Sequence, residues 1–137
     1  MKNILVLEDE APLMEIFRAV LNEEYTVFEA STARLAILEH RRHHIDLLIA
    51  DLSLPVSSGI LVALQLHSLS PDLRTILTSG YPLGMWDKEH VAKLKDLPLG
   101  SVNILQKPFF PATLLAKVHG LIGEPGESAS HLTATSR

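Results

Sequence analysis

Leu47-Leu48-Ile49-Ala50-Asp51 is a short apolar run that ends in a single acid. A run that is apolar at every position is typical of a strand covered on both faces of a parallel sheet. Ile4-Leu5-Val6-Leu7 repeats the pattern near the start of the chain and is followed by three acids, Glu8-Asp9-Glu10. Both runs therefore predict buried strands that carry carboxylates at their ends.

The segments around these two runs alternate between strand-like and helix-like patterns. Ser31 is the expected N-cap of the second helix, where Leu35 and Leu38 are expected to face the core. Ile16 belongs to the predicted core-facing stripe of the first helix. Further strands are predicted at 25–30, 74–78 and 102–105, and helices at 12–21, 31–42, 60–69, around 91–94, and over a last stretch that ends at 123.

Five strands joined by crossover helices predict a doubly wound α/β sandwich with one parallel sheet. One domain is expected over residues 1–123, because a chain of 137 residues that is 47% hydrophobic fits a single core. The polar segment 124–137 is predicted to be a disordered tail.

The composition excludes several classes of function. The absence of cysteine excludes disulfides and Cys-ligated zinc. A net charge of −4 without a basic stripe argues against a nucleic-acid partner. No apolar run is long enough to span a bilayer, and the first residues lack the pattern of a signal peptide. We therefore expect a cytoplasmic protein without membrane or nucleic-acid partners.

Polar side chains follow four of the predicted strands. They are Glu8-Asp9-Glu10, Asp51, Thr78-Ser79-Gly80 and Gln106-Lys107-Pro108. The ends of parallel strands meet at one edge of the sheet, where doubly wound folds place their chemistry. Carboxylates gathered there repel one another and suit a divalent cation, with Mg²⁺ favoured when phosphate oxygens complete its shell.

This arrangement indicates attack by a carboxylate on a phosphoryl group. Asp51 is the best nucleophile because it ends the central strand, between the other acids and Lys107. The cation and Lys107 would offset the charge on the phosphoryl oxygens. Ser79 or Thr78 would donate a hydrogen bond to one of those oxygens.

Four motifs, each at a predicted strand end, together resemble the receiver domains of bacterial response regulators. The resemblance covers residues 2–122 and implies a flavodoxin-like sheet of strand order 2-1-3-4-5. The motifs are Glu8-Asp9-Glu10, Asp51-Leu52-Ser53-Leu54-Pro55-Val56-Ser57-Ser58-Gly59, Thr78-Ser79-Gly80-Tyr81 and Lys107-Pro108-Phe109.

The resemblance implies a role for each matched acid. Asp51 matches the phosphoacceptor of the family. Asp9 matches the direct Mg²⁺ ligand, and Glu8 matches the second acid, which acts through water. Asp51 itself and the backbone carbonyl of Ser53 would complete the protein ligands.

The remaining matches concern the response to phosphorylation. Ser79 matches the switch hydroxyl of the family, with Thr78 as the alternative for a register error of one residue. Lys107 matches the family's lysine, and its bond to Pro108 is expected to be cis.

Three departures from the family pattern affect these expectations. Glu8 stands where the family more often has a second aspartate. Ile104 replaces the aromatic residue three positions before the lysine, which implies a different coupling to Ser79. The stretch between Ser79 and Lys107 is longer than usual and holds Trp86, so the fourth helix and its output surface are the least defined, and the sequence assigns no role to the segment 82–98.

The resemblance also implies partners. A histidine kinase or a phosphotransfer protein would supply the phosphoryl group, and the face of the fourth helix, fifth strand and fifth helix would contact a downstream protein. The protein would be a monomer or a phosphorylation-dependent dimer. Thr78-Ser79-Gly80-Tyr81 and Leu105-Gln106-Lys107-Pro108-Phe109 are most similar to receivers at the C-termini of hybrid histidine kinases.

Two other functions compete with this interpretation. One is a receiver-like binding module that is never phosphorylated. The atypical Glu8, Ile104 and fourth-helix region favour it, and the presence of Asp51 and Lys107 argues against it. The other is a phosphohydrolase that also forms an aspartyl phosphate. Ser53 stands where such an enzyme needs a second acid, and serine cannot protonate a leaving group. We therefore expect a signalling domain whose chemistry is limited to phosphorylation and dephosphorylation of Asp51, not an enzyme.

Overall fold

The computed structural model describes residues 1–124, which form one parallel sheet between two layers of helices. The strands are β1 (Asn3–Leu7), β2 (Thr26–Ala30), β3 (Leu47–Asp51), β4 (Arg74–Ser79) and β5 (Val102–Gln106). Their order across the sheet is β2-β1-β3-β4-β5, and every neighbouring pair is parallel. The predicted doubly wound fold and strand order are confirmed. The tail prediction falls on residues 125–137, outside the described range.

Within residues 1–124, four α-helices and one 3₁₀ turn connect the strands, and a fifth α-helix follows β5. They are α1 (Ala11–Leu21), α2 (Ala33–Arg42), α3 (Gly59–Leu69), the 3₁₀ turn Leu83–Met85, α4 (Lys88–Leu94) and α5 (Pro111–Ile122). Side chains of α1 and α5 pack on one face of the sheet, and those of α2 and α3 pack on the other. No helix within residues 1–124 combines the length and apolar character required to cross a bilayer.

The central strand β3 is the most buried element, as its apolar run predicts. All of its residues are buried, and it pairs with β1 on one side and β4 on the other. Its side chains alternate between the two core clusters: Leu47 and Ile49 face α1 and α5, whereas Leu48 and Ala50 face α2 and α3. Asp51 therefore lies at the centre of the edge formed by the strand ends.

Polar side chains define where most helices begin. Thr32, and not the predicted Ser31, caps α2 by accepting a hydrogen bond from the Leu35 amide at 3.2 Å. Ser58 and Asp87 cap α3 and α4 in the same way. The prediction was one residue early because adjacent serine and threonine are equally suitable caps, and only the backbone geometry selects between them.

Three leucine and isoleucine side chains predicted to face the core are exposed. Leu35 and Leu38 of α2 are 43% and 37% accessible, and Ile16 of α1 is about half accessible. In α2 the buried residue is Ala36, whose small side chain lets the helix lie close to β1 and β2. In α1, Met14 and Phe17 fill the core instead of Ile16.

The weakly patterned segment between β4 and β5 is anchored by Trp86. This side chain is nearly buried against the α2–α3 core cluster, and its indole N–H donates to the carbonyl of Tyr81 at 3.2 Å. The helix that follows, α4, is short and has no fully buried residue. Trp86 therefore attaches the segment between β4 and β5, whose secondary structure the sequence predicts least clearly, to the core.

Gly59 is required where α3 begins against the end of β3. A Cβ at this position would lie 2.2 Å from the carbonyl oxygen of Asp51 and 3.0 Å from the Ala50 Cβ, both on the strand that carries the acid. We expect Gly59→Ala to lower the free energy of unfolding by about 2 kcal/mol or more, because the helix must move away from the strand.

Urea denaturation measures this effect, with Gly120→Ala as the matched control. A Cβ at Gly120 would meet nothing within 4 Å, and the position lies inside α5. The control is therefore expected to stabilise the protein by about 0.5–1 kcal/mol. Equal stability of the two variants would contradict the proposed close approach.

Candidate functional site

The amine of Lys107 lies between two buried carboxylates at the ends of the strands. Its Nζ is 3.0 Å from Oδ2 of Asp51 and 3.6 Å from Oε1 of Glu8. Both acids are buried, and the lysine follows β5 directly. The peptide bond between Lys107 and Pro108 is cis, as expected. Strands distant in sequence thus place opposite charges in one pocket.

Asp9 completes a cluster of three carboxylates with Glu8 and Asp51. One oxygen of each lies within 4.8 Å of the others, and Asp9 is exposed, so the cluster opens to solvent on its side. Oε1 of Glu8 is buried without a hydrogen-bond partner. Three hard oxygen donors, one of them unsatisfied, fit a divalent cation such as Mg²⁺.

One backbone amide and the Lys107 amine hold the two carboxylate oxygens of Asp51. Oδ1 accepts a hydrogen bond from the amide of Ser53 at 3.1 Å, while Oδ2 accepts from Lys107. The amide of Leu52 donates to the carbonyl of Thr78 at 2.8 Å. The hydrogen bonding between β3 and β4 therefore extends one residue beyond the end of β3. The predicted ligand Ser53 therefore lies directly beside the predicted phosphoacceptor.

The two candidate switch hydroxyls at the end of β4 differ in their surroundings. The hydroxyl of Ser79 accepts a hydrogen bond from the Tyr81 amide at 3.1 Å, within a local turn. Thr78 pairs with Asp51 across the strands, and its hydroxyl is buried without a partner. Since side chains alternate along a strand, the two hydroxyls point to opposite faces of the sheet. Ile104 packs against the α2–α3 core cluster, which includes Leu77.

The pKa values of Glu8 and Lys107 are both raised, but for different reasons. Burial is the largest effect on Glu8 and raises its pKa to about 7, although the Glu10 amide and Lys107 act against the shift. For Lys107, burial would lower the pKa, but the hydrogen bond and charge of Asp51, with Glu8, outweigh it and raise the pKa. The lysine stays charged while Glu8 can hold a proton near neutrality.

An ion pair that the sequence analysis missed borders the pocket. Arg18 of α1 makes a two-point contact with Glu29 of β2, with Nη2 and Oε1 2.6 Å apart. Both side chains line the crevice that contains Glu8 and Asp9. No spacing rule connects an arginine in the last turn of a helix to a glutamate in the next strand, so the sequence carries no signal for this pair.

The raised pKa of Glu8 predicts a pH-dependent cost of folding in the metal-free protein. Its folded pKa of about 7 exceeds the ordinary value of 4.5, so the folded state binds this proton more tightly than the unfolded state. The stability that this proton provides is present at low pH and is lost as pH rises from 4.5 through 7. Glu8→Gln removes that dependence.

We expect Glu8→Gln to gain about 2–3 kcal/mol more stability at pH 8 than at pH 5. Urea denaturation in the presence of a chelator measures the difference. Glu23→Gln, a substitution at an exposed residue of the same type, is the control for losing one negative charge. A gain that is the same at both pH values would contradict the buried, proton-binding state of Glu8.

The sequence and the coordinates each match known proteins. The family model described as "Response regulator receiver domain" matches residues 4–119. The Regulatory protein VanR of Enterococcus faecium is 33% identical over 118 residues, which is 84% of this chain and 47% of that protein. The phosphate regulon transcriptional regulatory protein PhoB of Pseudomonas aeruginosa is 31% identical over 134 residues, 94% of this chain and 55% of the relative. The chain spans about half the length of both relatives.

Solved structures agree at the level of the fold. The CheY-like receiver domain protein of Methanospirillum hungatei matches with a TM-score of 0.79 and 23% identity, covering 93% of this chain and 98% of that one. The chemotaxis protein CheY4 of Vibrio cholerae matches with a TM-score of 0.77 and 22% identity, covering 88% and 98%. With the family match over residues 4–119 and acids and lysine gathered at the strand ends, the chain belongs to the response regulator receiver domain family.

Proposed function

We propose that this receiver domain accepts a phosphoryl group onto Asp51 from a phosphohistidine of a kinase or phosphotransfer protein, with Mg²⁺ as cofactor. One observation carries the proposal: a buried aspartate contacts a lysine amine at 3.0 Å and shares its pocket with two further acids. This is the charge arrangement that phosphoryl transfer to a carboxylate requires.

The transfer exchanges one bond to phosphorus for another. A carboxylate oxygen of Asp51 attacks the phosphorus of a phosphohistidine whose other ring nitrogen carries a proton from solvent. The bond from phosphorus to the imidazole nitrogen breaks, its electron pair stays on that nitrogen, and the imidazole leaves as a neutral group. Lys107 pairs with the phosphoryl oxygens and offsets their charge. Asp9, Asp51 and the Ser53 carbonyl would hold Mg²⁺, with Glu8 acting through water, and the cation supplies further neutralisation of the phosphoryl charge. Water then attacks the phosphorus of the acyl phosphate, the bond from phosphorus to the Asp51 oxygen breaks, and inorganic phosphate leaves, which restores the carboxylate.

The phosphoryl group would be sensed through Ser79. Its hydroxyl oxygen accepts from the Tyr81 amide, and its proton would be donated to a phosphoryl oxygen. The Tyr81 carbonyl in turn is the acceptor of the Trp86 indole. A movement of Ser79 therefore reaches the segment that precedes α4. The face of α4, β5 and α5 would change its population of states and contact a downstream protein. Thr78 is the alternative sensor.

The surface around Lys107 is suited to a protein phosphodonor. Leu13 and Ile16 of α1 form a shallow groove with Lys107, Pro108 and Phe109. Ile16 was expected in the core but is about half exposed. Apolar side chains next to the phosphoacceptor would let a donor protein dock with its phosphohistidine over Asp51.

Phosphorylation of Asp51 is tested with a small-molecule donor. Incubation with acetyl phosphate or phosphoramidate and Mg²⁺ is expected to add the mass of one phosphoryl group, measured on the intact protein. Asp51→Asn is expected to show no gain. Asp72→Asn, at an exposed acid that precedes β4, is the matched control and should behave as the wild type. No gain in the wild type, or an equal gain in Asp51→Asn, would favour the unphosphorylated binding module.

Mg²⁺ dependence is tested through the acids that follow β1. Asp9→Asn removes a proposed direct ligand and is expected to raise the Mg²⁺ concentration for half-maximal phosphorylation more than Glu8→Gln, which removes a water-mediated contact worth about tenfold. Glu10→Gln is the control, because Glu10 is adjacent but lies outside the carboxylate cluster. A phosphorylation rate that does not change with Mg²⁺ concentration would remove the cofactor from the proposal.

A further inference from the structure

The surface helix α3 contains no charged residue. Its sequence is GILVALQLHSL, and apolar side chains occur on every face. Leu61 and Leu69 are 45% and 60% accessible, and they lie one turn before and one turn after the exposed Gln65. A helix that is apolar all round is normally covered, but in this chain one face of α3 reaches solvent.

The neighbouring helix α2 extends this apolar surface. Leu35 and Leu38, whose burial the sequence pattern predicts, are exposed on the side of α2 that adjoins α3. A groove between the two helices is lined by Arg34, Leu35, Ile37, Leu38, Arg41 and Gln65. Exposed leucines from two helices thus flank a concave strip.

The groove has a positive rim on an acidic protein. Arg34 and Arg41 line the groove and Arg42 follows, whereas α2 contains one acid, Glu39. The whole chain carries a formal charge of −4. Excess positive charge on this one helix favours an acidic occupant.

We infer that the α2–α3 groove binds an acidic amphipathic helix of a partner protein. Leucine-type side chains of that helix would enter the apolar strip, and its carboxylates would pair with Arg34 and Arg41. The groove shares Leu35 with the crevice that contains Glu8 and Asp9. It contains none of the charged residues of the phosphorylation site, so this inference does not depend on the proposed function.

Charge and shape disfavour the other occupants. A second copy packed through the same face would place the arginines of the two chains against each other around the two-fold axis. A membrane is flat, whereas this apolar strip lies between two helices. A nucleic acid would leave the exposed leucines without apolar contacts. A helix laid in the groove satisfies both the arginines and the leucines.

Two designed peptides of equal length test the inference. Both carry leucine at positions i, i+3, i+4 and i+7, and the remaining positions are mainly glutamate in one and lysine in the other. NMR titration of the ¹⁵N-labelled protein is expected to show the glutamate peptide binding at least about tenfold more tightly. The amide signals of Leu35, Leu38 and Leu61 should shift most.

Charge reversal separates specific docking from general acidity. The double variant Arg34→Glu/Arg41→Glu should lose at least about tenfold in affinity for the glutamate peptide and gain affinity for the lysine peptide. Lys88→Glu/Lys95→Glu, which reverses two exposed charges around α4, is the matched control and should keep the wild-type preference. Thermal melting checks that each variant is folded.

Several results would overturn the inference. They are no binding of either peptide, equal binding of both, signal shifts outside α2 and α3, or an equal loss in the control variant. Self-association of the free protein that Leu61→Glu abolishes would assign the face to a second copy. Tighter binding to vesicles of phosphatidylcholine and phosphatidylglycerol than to the glutamate peptide would assign it to a lipid surface.

Discussion

The contact between the Lys107 amine and the Asp51 carboxylate is the interaction on which the site depends. Three carboxylates within 4.8 Å of one another repel strongly in a partly buried pocket. The lysine, at 3.0 Å from Asp51 and 3.6 Å from Glu8, is the positive charge that the fold supplies. It cannot balance all three acids. The burial of Glu8 adds to the cost of its negative charge and raises its pKa to about 7, with smaller contributions from Asp51 and Asp9. The pocket is therefore prepared for a further cation, which is a requirement of the proposed chemistry.

The parallel sheet makes this contact possible. β1, β3 and β5 run in the same direction, so their ends deliver Glu8, Asp51 and Lys107 to one edge although the chain separates them widely. Gly59 allows α3 to begin against the backbone of Asp51, and the amide of Ser53 holds the carboxylate. The backbone between β3 and α3 therefore has two roles, because it lets α3 pack against the sheet and it also orients the carboxylate of Asp51.

The sequence predicts two kinds of feature. These are strands whose residues are apolar throughout, and site residues that belong to motifs in a fixed order along the chain. The apolar run that ends at Asp51 defines the central strand, and the strand-end motifs identify the acids and the lysine of the pocket. The sequence does not select between adjacent equivalent groups. Thr32 caps α2 instead of Ser31, and both Thr78 and Ser79 are candidates for the switch hydroxyl. Each choice depends on differences of a few ångströms in backbone position, which the sequence does not show. The Arg18–Glu29 pair depends on how α1 lies over β2, which no local pattern encodes.

The incorrect burial predictions share one cause. Helical periodicity identifies an apolar face, but it does not show how much of that face the chain itself covers. Ile16, Leu35 and Leu38 all follow the pattern of core residues, and all three are exposed. Ile16 lies beside the phosphoacceptor pocket, where a phosphodonor would cover it, and the two leucines border the arginine-rimmed groove. Single exposed apolar residues are common on protein surfaces, whereas exposed apolar residues grouped around a groove are typical of interaction sites. In this chain such residues line two grooves, one beside Lys107 and one between α2 and α3, and these are the two grooves on which the proposed phosphodonor and the inferred helical partner would dock.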